Sequence, residues 1–417
     1  MAREIILQKL PVGWSYNLLD NIAERCSGHT PSKSFPEYWN GGIKWISLAD
    51  SCRLDKGYVY ETDKEISLEG IKNSSAEVHP AETVVLSRDA GVGKSGVMAT
   101  PMAVSQHFIA WKCDNKEKLH SWYLYNWLQL NKEEFERQAV GSTIKTIGLP
   151  YFKKLRIAVP PFDEQKKIAQ ILSTWDKAIS VTEKLLTNSQ QQKKALMQQL
   201  LTGKKRLLDE NGVRFSGEWK RVKLGAIADM NSGGTPKSTV EEYYGGNIPW
   251  VSISDMTSNG KWIATTEKYL TELGLNSSSA RIYPKNSVLY AMYASIGECS
   301  IAAVNLTSSQ AILGIRPKDC LNYEFLYFYL TSLKEKIKLQ GQQGTQSNLN
   351  AGMVKEFELD LPSIREQQKI AAVLSAADAE ISTLEKKLAC LRDEKKALMQ
   401  QLLTGKRRVK VDEAVAE

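Results

Sequence analysis

The twelve residues KKALMQQLLTGK occur twice in this chain, at 193–204 and at 395–406. Chance does not supply twelve identities in register, so the chain carries an internal duplication. A duplication constrains the fold more than composition does, because whatever surrounds the first copy has a counterpart around the second. At the same offset of 202, residues 164–204 match 366–406 at 25 of 41 positions without a gap. The first copy opens EQKKIAQIL and the second EQQKIAAVL. Upstream the match is looser. Residues 30–50 face 235–255, sharing Thr30/Thr235, Pro31/Pro236, Trp45/Trp250 and Asp50/Asp255. With a one-residue adjustment Pro80 matches Pro284, Gly93 matches Gly297, and Ser105-Gln106 matches Ser309-Gln310. The order is therefore variable region, near-constant segment, variable region, near-constant segment.

The near-constant segments read as helices. In the second, Ile370, Leu374, Ala377, Ile381, Leu384, Leu388, Leu391, Leu398 and Leu402 follow the alternating four and three spacing of a heptad seam, interrupted by Lys395. In the first, Ile168, Leu172, Trp175, Ile179, Leu186, Leu196 and Leu200 lie on the same seam, which Thr182, Ser189 and Lys193 weaken. Ser363 and Glu366 suggest a capping box, and Gly405 falls where a helix should end. Each seam needs a cover, and the other copy supplies one. Short connections make the two helices antiparallel, about 57 Å long at ~1.5 Å per residue, with a globular head at each end. The expected fold is mixed α/β, with two similar recognition domains separated by a two-helix antiparallel coiled coil. The expected boundaries are 1–158, 159–208 (helix), 209–360, 361–408 (helix) and a tail at 409–417.

Within the heads, GGIKWISLA, ETVVLSR and HFIAWKC read as strands. Residues 121–138 and 323–339 read as amphipathic helices that turn aromatics inward. Most of the ten tryptophans are expected in the core. The six cysteines form no CxxC pair and there are four histidines, which argues against a zinc site or a disulfide framework and fits a reducing cytoplasm. No apolar run reaches membrane-spanning length, and the first residues lack the features of a signal peptide. The net charge of +8 favours a polyanionic partner.

GVGKS (91–95) invites a phosphate-loop reading, but Arg88 stands where that motif needs glycine, and the repeat counterpart reads SIGEC (295–299). The better reading is a tight glycine turn that presents variable side chains. VPPF (159–162) is similar to an amino-methyltransferase segment, yet Val159 replaces its essential polar residue. It reads instead as a strand exit into the helix. No serine–histidine–acid set or paired-carboxylate signature stands out, so no catalytic residue is assigned and no metal site is expected. What remains is recognition. Arg88 and Asp89 oppose Met292 and Tyr293, and Lys145 and Thr146 oppose Ser347 and Asn348. Arginine and lysine suit guanine's major-groove acceptors, asparagine and glutamine suit adenine. The candidate DNA contacts are Ser32, Lys33, Arg88, Lys94 and Lys145 in the first half. In the second they are Lys237, Ser238, Tyr290, Tyr293, Ser295, Gln346 and Asn348. The candidate coiled-coil contacts are Ile168, Leu172, Ile179, Leu186, Ile370, Leu374, Ile381 and Leu388. The endings GKKR (203–206) and GKRR (405–408) suit either phosphates or the negative end of the helix dipole.

Taken together, the duplicated architecture, the openings PPFDEQKKIAQIL and LPSIREQQKIAAVL, each after a strand, and the repeated KKALMQQLLTGK resemble the specificity subunit of type I DNA restriction–modification systems. The resemblance covers the whole chain, and the Pro362-Ser363 pair departs from the usual double proline. It implies two target-recognition domains that read the halves of a split, asymmetric duplex site. It also implies two docked adenine methyltransferase subunits carrying S-adenosylmethionine, and motor–nuclease subunits using ATP and Mg, none of these bound by this chain. Two alternatives stay open on the residues alone: a coiled-coil adaptor between proteins, and a self-contained DNA methyltransferase.

Overall fold

The computed structural model describes residues 10–113, 118–342 and 349–411. The chain forms two compact units, residues 1–183 with 386–417 (unit 1) and residues 184–385 (unit 2). Each unit contains a head plus part of both long helices, Phe162–Leu200 and Ile364–Leu402. The expected linear partition set the helices apart as separate domains. Packing groups them with the heads, because their ends are core. Ile168, Leu172, Leu402 and Leu403 are buried in unit 1, and Leu200, Leu201, Ile370 and Leu374 in unit 2.

Unit 1 contains β1 (Ser15–Leu18), β2 (Glu24–Ser27), β3 (Trp39–Ile46), β4 (Tyr58–Val59), β5 (Lys64–Ile66), β6 (Val84–Ser87), β7 (Ser95–Met98), β8 (Ala103–Val104), β9 (Phe108–Lys112) and β10 (Arg156–Val159). Unit 2 repeats them as β11 (Lys220–Lys223), β12 (Ala228–Ser232), β13 (Tyr244–Val251), β14 (Trp262–Ile263), β15 (Lys268–Leu270), β16 (Val288–Ala291), β17 (Cys299–Ala302), β18 (Thr307–Ser308), β19 (Ile312–Pro317) and β20 (Glu358–Leu361). The topologies are the same. A five-stranded sheet runs β2-β9-β6-β7-β4 in unit 1 and β12-β19-β16-β17-β14 in unit 2. A three-stranded sheet (β5-β3-β8, β15-β13-β18) and a two-stranded one (β1-β10, β11-β20) complete each head.

The central strands β6, β7, β16 and β17 are buried at every position because the large sheet is covered on both faces. Val84, Leu86, Ile109 and Trp111 pack with Tyr123, Leu124, Ile168 and Leu172 on the helix side. Val85, Phe108 and Ala110 pack with Ile46 and Val104 on the other. Unit 2 divides the same way, with Val288 and Tyr290 on the helix side and Leu289 and Ala291 opposite. Of the ten tryptophans only Trp14, Trp45, Trp111 and Trp250 are buried. Trp262 is exposed and the other five are half-buried. The helix expected over 121–138 is two helices, Ser121–Leu130 and Lys132–Gln138. Asn131 leaves the helical region at φ −97° and ψ 11°, its N–H shared between the Trp127 and Leu128 carbonyls (3.1 and 3.2 Å). Unit 2 has Leu333 at the matching position and one continuous helix, Tyr323–Gln342.

The near-constant EQ of each helix opening is a buried joint. Gln165 accepts the His120 N–H (2.8 Å) and donates to the carbonyls of Lys118 and Pro160, both at 3.0 Å. Gln367 does the same with the Asn322 N–H (2.8 Å) and the carbonyls of Cys320 and Pro362, both at 2.9 Å. The neighbouring Glu164 and Glu366, 2% and 1% exposed, take a two-pronged arginine: Arg408 at 2.7 Å and Arg206 at 2.5 and 2.7 Å. The last arginine of each basic ending therefore closes the joint, while Lys204, Lys205, Lys406 and Arg407 stay exposed. Ser363 accepts the Glu366 N–H at 3.4 Å, but the Glu366 carboxylate bonds Arg206 and Trp219, so only one arm of the expected capping box forms. Gly405 and Gly203 lie at φ +74° and +69°, just past each helix end.

In each unit the helix segments run antiparallel. The polar interruptions of the seam are matched rather than weak. Lys395 pairs with Asp176 at 2.5 Å in unit 1, and its repeat counterpart Lys193 pairs with Asp378 in unit 2. Ser189 donates to Glu380 at 2.9 Å, and the Trp175 indole to Glu394 at 3.1 Å. Ile168, Leu172, Ile370, Leu374 and Leu388 are buried, while Ile179, Leu186 and Ile381 are half-buried.

Replacing Gln367 by leucine strips the joint of an acceptor and two donors in a buried place. Each buried group left unpaired costs about 1–3 kcal/mol. The expected loss is about 2–4 kcal/mol in chemical unfolding, well beyond that of an exposed control such as Gln368→Leu. Equal midpoints for the two variants would refute the joint.

Candidate nucleic-acid interface

Main-chain hydrogen bonds tie the segments around Arg88, His107 and Ile147 of unit 1 in the same frame as those around Met292, Ala311 and Leu349 of unit 2. The Arg88 N–H donates to the His107 carbonyl (3.0 Å), and the Arg88 carbonyl accepts from Ile147 (2.9 Å). In unit 2, Met292 donates to Ala311 (2.9 Å) and accepts from Leu349 (3.0 Å). Arg88 and Met292, opposed by sequence alone, thus occupy one structural position. The turn that follows is a glycine turn in both copies. Gly91, Gly93 and Gly297 have φ of +96°, +85° and +82°, and Gly93 donates to Ser87 (3.0 Å) as Gly297 does to Ala291 (3.1 Å).

The loop bearing Ser32 and Lys33 is drawn in by a close approach only glycine permits. A Cβ on Gly28 would lie 1.9 Å from the Val104 carbonyl oxygen, and one on Gly233 would lie 2.2 Å from that of Ser308. Beyond it, Thr30 hydrogen-bonds Gln106, the Trp39 indole donates to the Ser32 carbonyl (3.2 Å), and in unit 2 the Tyr244 hydroxyl donates to the Pro236 carbonyl (2.8 Å). Ser32, Lys33, Lys237 and Ser238 are exposed. Lys145 sits on a loop closed by reciprocal bonds between Val140 and Thr146 (3.1 and 2.9 Å). That loop and the glycine turn form a shallow groove lined by Ala90, Gly91, Val92, Thr143, Ile144 and Lys145.

The remaining candidates divide. Arg88 is one-fifth exposed beside Asp89, its Nε 3.7 Å from that carboxylate and without a hydrogen-bond partner. Lys94 turns back into the head, its ammonium on the Ser51 hydroxyl (2.9 Å) and carbonyl (3.3 Å). Tyr293 is exposed and Ser295 half-buried. Tyr290 is a correction: it is fully buried on the helix face of the sheet, edge-on to Phe357 at 6.3 Å, and offers a duplex no surface. Strand periodicity explains the error, since Tyr290 alternates inward with Val288. Gln346 and Asn348 lie outside the described residues.

Two residues bonded to these loops escaped sequence reasoning. His107 Nδ1 lies 2.8 Å from Asp89, and Gln106 bonds Thr30. The Ser105-Gln106/Ser309-Gln310 identity was the available signal for the second. For His107, which faces Ala311 in the repeat, nothing in the sequence marked it.

Known proteins agree with this architecture. The sequence model of the type I restriction modification DNA specificity domain matches residues 11–188 and 216–391. The chain belongs to that family. It is 36% identical over 172 residues to the type I restriction enzyme MjaIX specificity subunit of Methanocaldococcus jannaschii, a match spanning 40% of each chain. It is 27% identical over 384 residues to the MjaVIII specificity subunit of the same organism, covering 85% of this chain and 87% of that one. The Escherichia coli EcoR124I/EcoR124II specificity subunit is 28% identical over 280 residues, 64% of this chain and 65% of the relative. Among solved structures, the S subunit of a type I restriction–modification system from M. genitalium shares the fold at a TM-score of 0.59 and 17% identity, over 95% of this chain and 98% of that one. No helix among the described residues is long and apolar enough to cross a membrane.

Proposed function

We propose that this chain is the DNA-reading subunit of a type I restriction–modification assembly, and that each unit reads one half of a split, asymmetric duplex sequence. One observation carries the reading. Two heads hold the same backbone frame at the glycine turn, yet put Arg88 and Asp89 in one and Met292 and Tyr293 in the other. A shared frame with different side chains suits two readers of different half-sites. Family membership supports the role, and the net charge of +8 suits a duplex.

On this reading the chain catalyses nothing itself and works in the cytoplasm. It docks two adenine methyltransferase subunits, which hold S-adenosylmethionine and flip the target base from the stack. Motor–nuclease subunits add ATP- and Mg-dependent translocation and cleavage. The deciding experiment is a genome-wide adenine-methylation map of the source strain with the gene intact and deleted. Loss of methylation at one split motif, on both strands, is expected. Identical maps from a strain whose methyltransferase gene is expressed would sink the proposal.

Arg88 is the first residue to change. Its side chain is one-fifth exposed at the backbone position the two heads share, and an arginine fork suits guanine's major-groove acceptors. Arg88→Ala should relax the first half-site alone, by about 1–3 kcal/mol of discrimination. Weakening that is uniform across sequences would make Arg88 a phosphate contact instead.

The long helices, 39 residues each, are the natural measure of the unread gap. Leu200 and Leu201 belong to the core of unit 2, so lengthening belongs in mid-helix, at Glu183–Lys184 together with Glu385–Lys386. One heptad added to each helix keeps the seam in phase. The methylated motif should then keep both half-sites and gain a longer gap, about 10 Å or 3 base pairs at ~1.5 Å per residue and ~3.4 Å per pair. Altered half-site bases in that map would rule the measure out.

A further inference from the structure

Each large sheet ends on an edge strand, β2 in unit 1 and β12 in unit 2. Beside β12 lies an open cleft whose lining includes Arg281, Tyr283, Gly314, Arg316 and Lys355 as well as the strand itself. Its floor is built. A Cβ on Gly314 would come within 2.2 Å of the Tyr283 ring, so only glycine admits that ring, and the Tyr283 hydroxyl donates to the Asn231 carbonyl at 2.9 Å. Arg281 leans on the Asn231 carboxamide at 3.4 Å. Arg316 and Lys355 are exposed and in no ion pair among the described residues. Asp229, across the strand pair from Arg316, is the one carboxylate in the lining, leaving a formal charge of +2.

Unit 1 has the same strand frame with the charge removed. Glu24 pairs with Lys112 across β2 and β9 just as Asp229 faces Arg316 across β12 and β19. There the two side chains form an ion pair at 2.9 Å. Glu77 stands at the position of Arg281, and Lys153 at that of Lys355, for a formal charge of zero. His79 replaces Tyr283, each forming an isolated bridge to the matching residue, Met102 or Leu306. The His79 ring is fully buried, neither nitrogen has a hydrogen-bond partner, and burial holds it toward its neutral form. Two copies of one surface thus differ by two positive charges.

We propose that the Arg281–Arg316–Lys355 cleft of unit 2 holds phosphodiester groups of the bound duplex, and that the matching surface of unit 1 does not. This rests on the DNA-reading role above. The chemistry favours phosphate over base edges. The three cations stand on separate segments, which suits a charge repeated along a backbone, and arginine forks match phosphate oxygens. Arg316 also follows Ile315, which pairs with Val288, at the end of β16 away from the glycine turn. A contact there sets register and orientation without reading sequence.

The test compares the full chain with the triple variant Arg281→Ala/Arg316→Ala/Lys355→Ala, with Lys112→Ala in unit 1, and with the charge reversal Arg316→Glu. Each is titrated with a duplex lacking the target motif across a range of salt. Each neutralised phosphate contributes about 0.9 to the slope of log K against log salt. The triple variant should lose about 2–3 from that slope, Lys112→Ala almost nothing, and Arg316→Glu should bind more weakly than Arg316→Ala. All these side chains are exposed or paired at the surface, so unchanged melting temperatures confirm intact folds. Equal slopes for wild type and triple variant overturn the proposal. So does a triple variant that binds DNA normally but no longer assembles with its methyltransferase, which marks the cleft as a site for an acidic protein. A wild-type chain with no salt-dependent duplex binding defeats the DNA-reading role itself, a different result from a wild-type slope that the variants leave untouched.

Discussion

Each head is tied to its long helix by two side chains that the head buries, a carboxylate and a carboxamide in adjacent positions. The carboxamide spans two carbonyls and an amide N–H that have no secondary-structure partner. The carboxylate would be intolerable there without a cation, and the arginine that supplies it comes from just past the end of the other helix. Strand exit, helix start and helix end are thereby locked at one point. This explains why the EQ opening and the basic endings are kept in both copies while the head residues around them diverge.

The same joints order the assembly of the chain. Arg206 and Glu366 are 160 residues apart, and both lie in unit 2, which is continuous in sequence. Arg408 and Glu164 are 244 residues apart, and unit 1 is built from the two ends of the chain. Its core includes Met399, Leu402 and Leu403 beside Trp14, Ile168 and Leu172. Contacts that close such long loops come late and slowly. Unit 1 therefore cannot complete its core until synthesis has passed residue 408, whereas unit 2 needs nothing beyond Glu385.

What could be read beforehand follows from what is local. The heptad seam, the strands and the glycine turn depend on spacing and on φ > 0, both written in short stretches of sequence. The meaning of the polar seam residues was hidden, because Lys193 and Lys395 look like defects until Asp378 and Asp176 appear opposite them. Tyr290 looked like a contact because it sits one residue before Ala291 and the exposed turn, and only the pairing register shows which way its ring points. The break at Asn131 lies in its backbone, at φ −97° and ψ 11°, which the amphipathic pattern over 121–138 does not register. His107 became visible only when β9 brought it against Asp89.

Comparing the two copies then separates structure from recognition without any further homologue. Residues shared by both are those geometry requires: Gly28/Gly233 under a carbonyl, Gly93/Gly297 at positive φ, Gln165/Gln367 in the joint. Positions that keep the frame but change chemistry, such as Arg88/Met292 on the loops and Glu77/Arg281 at the sheet edge, cannot be explained by the fold, since both alternatives fold equally well. Arg281 and Glu77 even reverse charge on the same framework. A scaffold that tolerates such exchanges at its surface while holding its joints unchanged can change the surface chemistry of one half without disturbing the other. The duplication makes this possible, because each unit carries its own core, its own glycine turn and its own clamp.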